Sequence, residues 1–67
     1  MNIVLNNRPD EIPADQLTVQ ELLDLKKFSF KLLIVRINGS IIKKDHFHDA
    51  LIHDGDDVLV LHLISGG

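Results

Sequence analysis

The feature that most constrains the fold is a capping box formed by Thr18 and Glu21 in the segment Leu-Thr-Val-Gln-Glu-Leu-Leu. The Thr18 hydroxyl can accept a hydrogen bond from the Glu21 N–H, while the Glu21 carboxylate accepts one from the Thr18 N–H. Leu17 and Leu22 have the spacing of a hydrophobic staple around this cap. The apolar residues that follow share one face: Val19, Leu22, Leu23 and, as a further candidate, Leu25. The pattern predicts one helix of about two to three turns that begins at Thr18.

Strand patterns precede the helix. Residues 1–5 alternate between two faces, with Met1, Ile3 and Leu5 on the apolar one. This is the period of a strand with one face on a core. Residues 6–9 form a turn cluster, and residues 10–12 are long enough only for a short second strand. The segment predicts an N-terminal hairpin.

A second hairpin is predicted after the helix. Leu33–Ile37 is rich in branched residues, and Asn38 and Gly39 follow it directly. An Asn-Gly pair adopts positive φ at both central positions of a type I′ turn, so Ser40–Ile42 is the expected partner strand. Residues 58–64 give the longest strand pattern.

The final strand pattern is apolar on both faces. Val58 and Val60 alternate with Leu59 and Leu61. A single helix covers only one face of a sheet, so the other face remains available for a partner. We therefore predict a partner-binding surface made of Leu59, Leu61 and Ile34.

Composition limits the possible functions. A chain of 67 residues buries only about 60% of its unfolded surface, which leaves little room for both a core and a deep catalytic cleft. The net charge of −3 opposes binding to a phosphate backbone, and residues 32–35 form an apolar run far too short to cross a bilayer. We expect a cytoplasmic binding or carrier module that contacts neither nucleic acid nor membrane and is not an enzyme.

The C-terminal tail Ser65-Gly66-Gly67 suggests chemistry at the end of the main chain instead of at a side chain. Two successive glycines contribute little to packing but fit a channel that admits only main chain. Three residues reach roughly 10 Å, enough to present Gly67 to another protein's active site. A frayed end or a linker remnant is the alternative reading. We predict a folded domain over residues 1–64 and a flexible tail over residues 65–67.

The polar clusters do not predict a metal site or a resident cofactor. His46 and His48 lie two residues apart, and surface histidines are the more ordinary reading of this pattern. Asp54, Asp56 and Asp57 surround Gly55 but lack the ligand spacing of a calcium loop. A solvated turn is expected there.

Taken together, these motifs resemble the ThiS family of small sulfur carriers over essentially the whole chain. The resemblance is carried by the helix start, the Val-Arg-Ile-Asn-Gly turn, the Asp-Gly-Asp-Asp-Val turn and the terminal diglycine. It implies an α+β fold of the ubiquitin-like β-grasp type. Such a fold has a mixed sheet of about four to five strands with one main helix on one face.

The same resemblance implies a function in thiamin biosynthesis. A ThiF-like adenylating enzyme would use ATP to activate the carboxylate of Gly67, sulfur would replace AMP to give a thiocarboxylate, and a ThiG-like thiazole synthase would receive that sulfur. Gly66 and Ser65 would be recognised as the tail, although Ser65 is bulkier than the small residue often found before the diglycine. The carrier itself would need no catalytic side chain and no cofactor, and would be a monomer when free.

Three other functions are compatible with a β-grasp domain that ends in diglycine. The first is a MoaD-type sulfur carrier for molybdopterin synthesis. The second is a ubiquitin-like modifier whose activated Gly67 forms an isopeptide bond with lysine. The third is a plain interaction module in which the diglycine is incidental.

Overall fold

The computed structural model describes residues 1–28 and 33–62. The elements in these residues follow in the order β1 (Asn2–Leu5), β2 (Arg8–Glu11), β3 (Gln16–Thr18), α1 (Val19–Leu25), β4 (Leu33–Ile37), β5 (Ser40–Ile42), a 3₁₀ turn (Lys44–His46), β6 (Leu51–His53) and β7 (Asp57–His62). No helix among the described residues is long and apolar enough to cross a membrane.

The main sheet has five strands in the order β2-β1-β7-β4-β5. The first and last strands, β1 and β7, run parallel to each other at its centre. The other neighbouring pairs are antiparallel. This mixed sheet, with one α-helix among the described residues, is the predicted ubiquitin-like β-grasp arrangement.

The first hairpin turns more tightly than the sequence pattern predicted. Asn6 and Asn7 both have positive φ, at 52° and 66°, so pairing resumes at once and β2 occupies Arg8–Glu11 instead of residues 10–12. Pro9 therefore lies inside a strand. Proline is tolerated there because β2 is an edge strand, paired with β1 on one side only. The N–H that proline lacks is therefore not required for pairing with a further strand.

The helix forms as its capping box predicted. The Glu21 N–H donates to Thr18 Oγ1 at 3.1 Å and the Thr18 N–H donates to Glu21 Oε1 at 2.9 Å. Val19, Leu22 and Leu23 are buried against the sheet. Leu25, the further candidate for this stripe, is instead 49% exposed.

A small second sheet was not predicted from the sequence. It pairs β3 with β6 and sets Leu17 opposite Ile52. Each strand has only three residues, too few for an alternating pattern to be read. Ile52 is fully buried, so this pair adds to the core next to the start of the helix, into which β3 leads directly.

One apolar core lies between the helix and one face of the main sheet. The sheet's inward-facing strand residues join those of the helix, Phe47 and Ile52. Its buried members are Ile3, Leu5, Ile12, Val19, Leu22, Leu23, Val35, Phe47, Ile52, Val58 and Val60. The opposite face of the main sheet has no helix over it in the described part of the chain.

Candidate functional site

The candidate docking surface follows directly from the strand register at the centre of the sheet. Val35 lies opposite Val60, and both are buried. Side chains alternate along a strand, so the flanking pair Ile34 and Leu61 must point to the other face. Leu59 joins them on that face. The structure thus brings together the three residues predicted to form the partner surface.

We call this surface the outer face. It consists of Val4, Ile34, Arg36, Ile41, Leu59 and Leu61. Leu61 is 40% exposed and Ile41 is 61% exposed, while Leu59 and Ile34 are half-buried. A run of apolar side chains across adjacent strands, with no helix over it, is typical of a protein-binding surface.

The sequence prediction missed Val4, Arg36 and Ile41 as members of the outer face. The outward position of Val4 follows from the alternation of side chains along β1, because Ile3 and Leu5 face the core. The outward position of Ile41 follows from the type I′ turn, in which Asn38 and Gly39 have φ of 50° and 85°. That turn fixes the register of β5, which sets Ile41 opposite Arg36.

Two asparagine side chains hold the last strand in place. Asn6 Oδ1 accepts from the Val60 N–H at 2.8 Å, and Asn38 Oδ1 accepts from the Asp57 N–H at 2.9 Å. These bonds extend the ladders of β1 and β4 beyond their last paired residues. They fix the direction of β7, the strand that precedes the C-terminal tail.

The predicted tail residues Ser65, Gly66 and Gly67 lie outside the described residues, which end at His62. The last strand carries Leu59 and Leu61 on the outer face. In sequence, only a few residues separate that face from Gly67.

The acidic turn serves the fold. Asp54 Oδ1 accepts from the Asn2 N–H at 2.6 Å. Asp56 uses both carboxylate oxygens, one for the His53 N–H at 2.8 Å and the other for the Asn38 side-chain amide at 3.1 Å. The carboxylates of Asp54 and Asp56 at this turn therefore accept hydrogen bonds that join the turn to β1, to β6 and to Asn38.

The histidines do not converge in the described ranges 1–28 and 33–62. His46 Nδ1 lies 3.3 Å from Asp49 Oδ1, and both side chains are largely exposed. Across those ranges no group of three or more histidine, aspartate or glutamate side chains is placed to hold a metal ion.

Comparison with known proteins relates this chain to one family. Residues 3–67 match the model of the ThiS family. The sulfur carrier protein ThiS of Bacillus subtilis (strain 168) is 32% identical over 63 residues, which cover 94% of this chain and 96% of that protein. The sulfur carrier protein ThiS of Escherichia coli (strain K12) is 30% identical over 67 residues and the whole of both chains.

Solved structures agree with this relationship. The crystal structure of the thiamine biosynthesis protein (ThiS) from Geobacter metallireducens superposes over the whole of both chains with a TM-score of 0.89 and 32% identity. A solution structure of a thiamine biosynthesis protein from the same organism gives a TM-score of 0.82, also at 32% identity, over the whole of this chain and 88% of that one. The chain belongs to the ThiS family.

Proposed function

We propose that this protein carries sulfur for thiamin biosynthesis as a thiocarboxylate on Gly67. The observation that carries the proposal is a family match that continues through residue 67, together with similarity to the Escherichia coli carrier over the full length of both chains. The chain is a sulfur carrier of the ThiS family. The atom that holds the sulfur and the enzymes that load and unload it are what we propose here.

Loading requires activation of the Gly67 carboxylate. A carboxylate resists attack by sulfur nucleophiles because it is already an anion and has no good leaving group. Attack of its oxygen on the α-phosphate of ATP gives an acyl adenylate and releases pyrophosphate. A sulfur nucleophile such as hydrosulfide then attacks the acyl carbon, AMP leaves with the bonding electron pair, and a proton is lost to solvent to give the thiocarboxylate.

The ATP chemistry belongs to a partner, a ThiF-like adenylating enzyme. This chain contributes no nucleophilic cysteine, since it contains none, and its acidic turn is occupied by backbone hydrogen bonds. The chain is the substrate of the reaction. It needs no resident cofactor, because the sulfur is held by the terminal carbonyl carbon.

The outer face is the proposed docking surface for the adenylating enzyme. Apolar residues near the centre of an interface commonly carry most of its binding energy. Leu59 and Leu61 lie on the strand that leads to the tail. Docking through them places Gly66 and Gly67 within reach of a catalytic channel, where the missing side chains let the main chain pass.

Unloading requires a second partner, a ThiG-like thiazole synthase that takes sulfur from the thiocarboxylate. When the sulfur leaves and an oxygen from water or from the sulfur acceptor takes its place on the carbonyl carbon, the Gly67 carboxylate is restored and can be activated again. The diglycine serves both partners, since each must bring the same carbonyl carbon into an active site.

The proposal is tested by the intact mass of the chain after incubation with the adenylating enzyme, ATP and sulfide. We expect a gain equal to sulfur replacing oxygen, assigned by fragmentation to Gly67 and absent when ATP is omitted. A chain that ends at Ser65 is the matched control and should gain nothing. An unchanged mass, with an enzyme proven active on another carrier, would contradict the proposal.

A further inference from the structure

We propose that Arg36 selects the docking partner by forming an ion pair with a carboxylate that the adenylating enzyme places within its own apolar docking surface. This inference rests on the proposed function and adds to it the chemistry of the partner surface. It assigns a role to a side chain that the sequence motifs do not single out.

Arg36 lies on the outer face between β7 and β5, near the end of β4. Its cross-strand neighbours are Leu59 on β7 and Ile41 on β5, and Ile34 is the preceding residue on the same face of β4. All three neighbours are apolar. Asp57 lies on the same face two residues before Leu59, and no ion pair joins it to Arg36 in the described residues. A basic side chain therefore lies beside the residues that we expect a partner to cover.

The Arg36 side chain is exposed and its charge is not neutralised within the described part of the chain. In that part Lys26 forms an ion pair with Asp10 and His46 lies beside Asp49, and neither contact involves Arg36. In the free chain this arrangement has little cost, because water solvates the guanidinium. Its aliphatic stem can still cover apolar neighbours.

Docking of a partner removes the solvation that stabilises the Arg36 charge in the free chain. An apolar partner that covers Leu59 and Ile41 also removes water from the guanidinium between them. A desolvated charge is strongly unfavourable unless it is paired and hydrogen-bonded. A partner that binds this face tightly must therefore bring an acceptor for Arg36.

The chemistry of that acceptor follows from the guanidinium group. Its planar array of N–H donors matches a carboxylate with two parallel hydrogen bonds. The expected partner surface is apolar, with an aspartate or glutamate at the position that faces Arg36. A partner with an apolar or basic residue there is rejected, so the same side chain contributes both affinity and specificity.

The test compares activation kinetics of four chains with the same adenylating enzyme: wild type, Arg36→Glu, Arg36→Gln and Arg8→Glu. Arg8 is the matched control, since it is also exposed but lies on β2 opposite the buried Leu5, away from the outer face. Thermal unfolding of each chain checks the fold. If Arg36→Glu does not fold, Arg36→Gln decides the outcome.

We expect Arg36→Glu to raise KM by about 30-fold or more with kcat within about twofold, and Arg36→Gln to raise it less. Arg8→Glu should stay within about twofold of wild type, since a remote surface charge acts mainly through screened, long-range forces. Added salt should raise the KM of wild type more steeply than that of Arg36→Gln, because only the wild type forms the ion pair.

Three results would overturn the inference. They are an unchanged KM for Arg36→Glu, an equal change in Arg36→Glu and Arg8→Glu, and a fall in kcat at constant KM. Each of these can be observed while the wild-type chain still gains sulfur, which leaves the proposed function standing. Failure of the wild-type chain to be loaded would instead remove the proposed function, and this inference with it.

Discussion

Replacing Leu61 with aspartate tests whether the outer face docks the adenylating enzyme. Leu61 is 40% exposed in the free chain and lies opposite Ile34 at the centre of that face. The substitution removes an apolar contact and places a carboxylate where we expect the partner's apolar surface. The matched control is Leu51→Asp, because Leu51 is 41% exposed and lies on a strand of the other sheet.

The size of the effect follows from the exposed fraction. Full burial of a leucine side chain stabilises a complex by about 1.5–3 kcal/mol, so the 40% that remains exposed is worth about 0.6–1.2 kcal/mol on docking. A carboxylate left without a partner at the interface costs about 1–3 kcal/mol more. The sum corresponds to a KM increase of at least about 15-fold.

The assay is pyrophosphate release by the adenylating enzyme as a function of carrier concentration. Circular dichroism and thermal unfolding verify that both variants remain folded, since each substitution also removes a partly buried side chain. We expect a raised KM for Leu61→Asp and a KM near wild type for Leu51→Asp. Equal kinetics for the two folded variants would refute the assignment of the outer face.

Three further predictions concern the cap, the core and the tail. Thr18→Ala removes the hydroxyl that accepts from Glu21 and should lower the free energy of unfolding by about 1 kcal/mol in urea denaturation; an unchanged midpoint would contradict the role of the cap. Ile52→Val, at a fully buried position, should cost about 0.5–1.5 kcal/mol in the same assay, whereas Ile41→Val, at a position 61% exposed, should cost less than about 0.5 kcal/mol. Gly66→Ala should slow adenylation sharply without changing the unfolding midpoint, because a methyl group obstructs a channel fitted to main chain; unchanged kinetics would argue against such a channel.

The helix and the second hairpin were predictable because their signals are local. The Thr18 and Glu21 side chains bond to each other's backbone within one turn, and Asn38 with Gly39 satisfies the positive φ of a tight turn. Neither depends on distant parts of the chain. The start and type of these elements could therefore be read from a few neighbouring residues.

The parts that the sequence did not predict depend on long-range contacts. The pairing of Leu17 with Ile52 joins residues far apart in sequence through strands of three residues. The position of Pro9 inside β2 depends on that strand being at a sheet edge, which is a property of the whole topology. Local patterns carry no signal for either feature.

The candidate site also combines features that local sequence patterns predict with features that depend on strand pairing. The shared face of Leu59 and Leu61 follows from the alternation of one strand, and the register sets Ile34 opposite Leu61 on that face. Ile41 and Arg36 become neighbours only once the register of β4 with β5 is fixed. The role of Gly67 was predicted from family resemblance, since a terminal glycine has no side chain whose environment could reveal it.

The central claim, that Gly67 carries sulfur destined for thiazole, is tested most directly by following labelled sulfur. The chain is loaded with isotopically labelled sulfide, purified, and combined with thiazole synthase and its other substrates in the absence of any further sulfur source. We predict that the label leaves the chain and appears in the thiazole product, while the chain returns to its unloaded mass. Label that remains on the chain, or a product that forms without it, would contradict the claim.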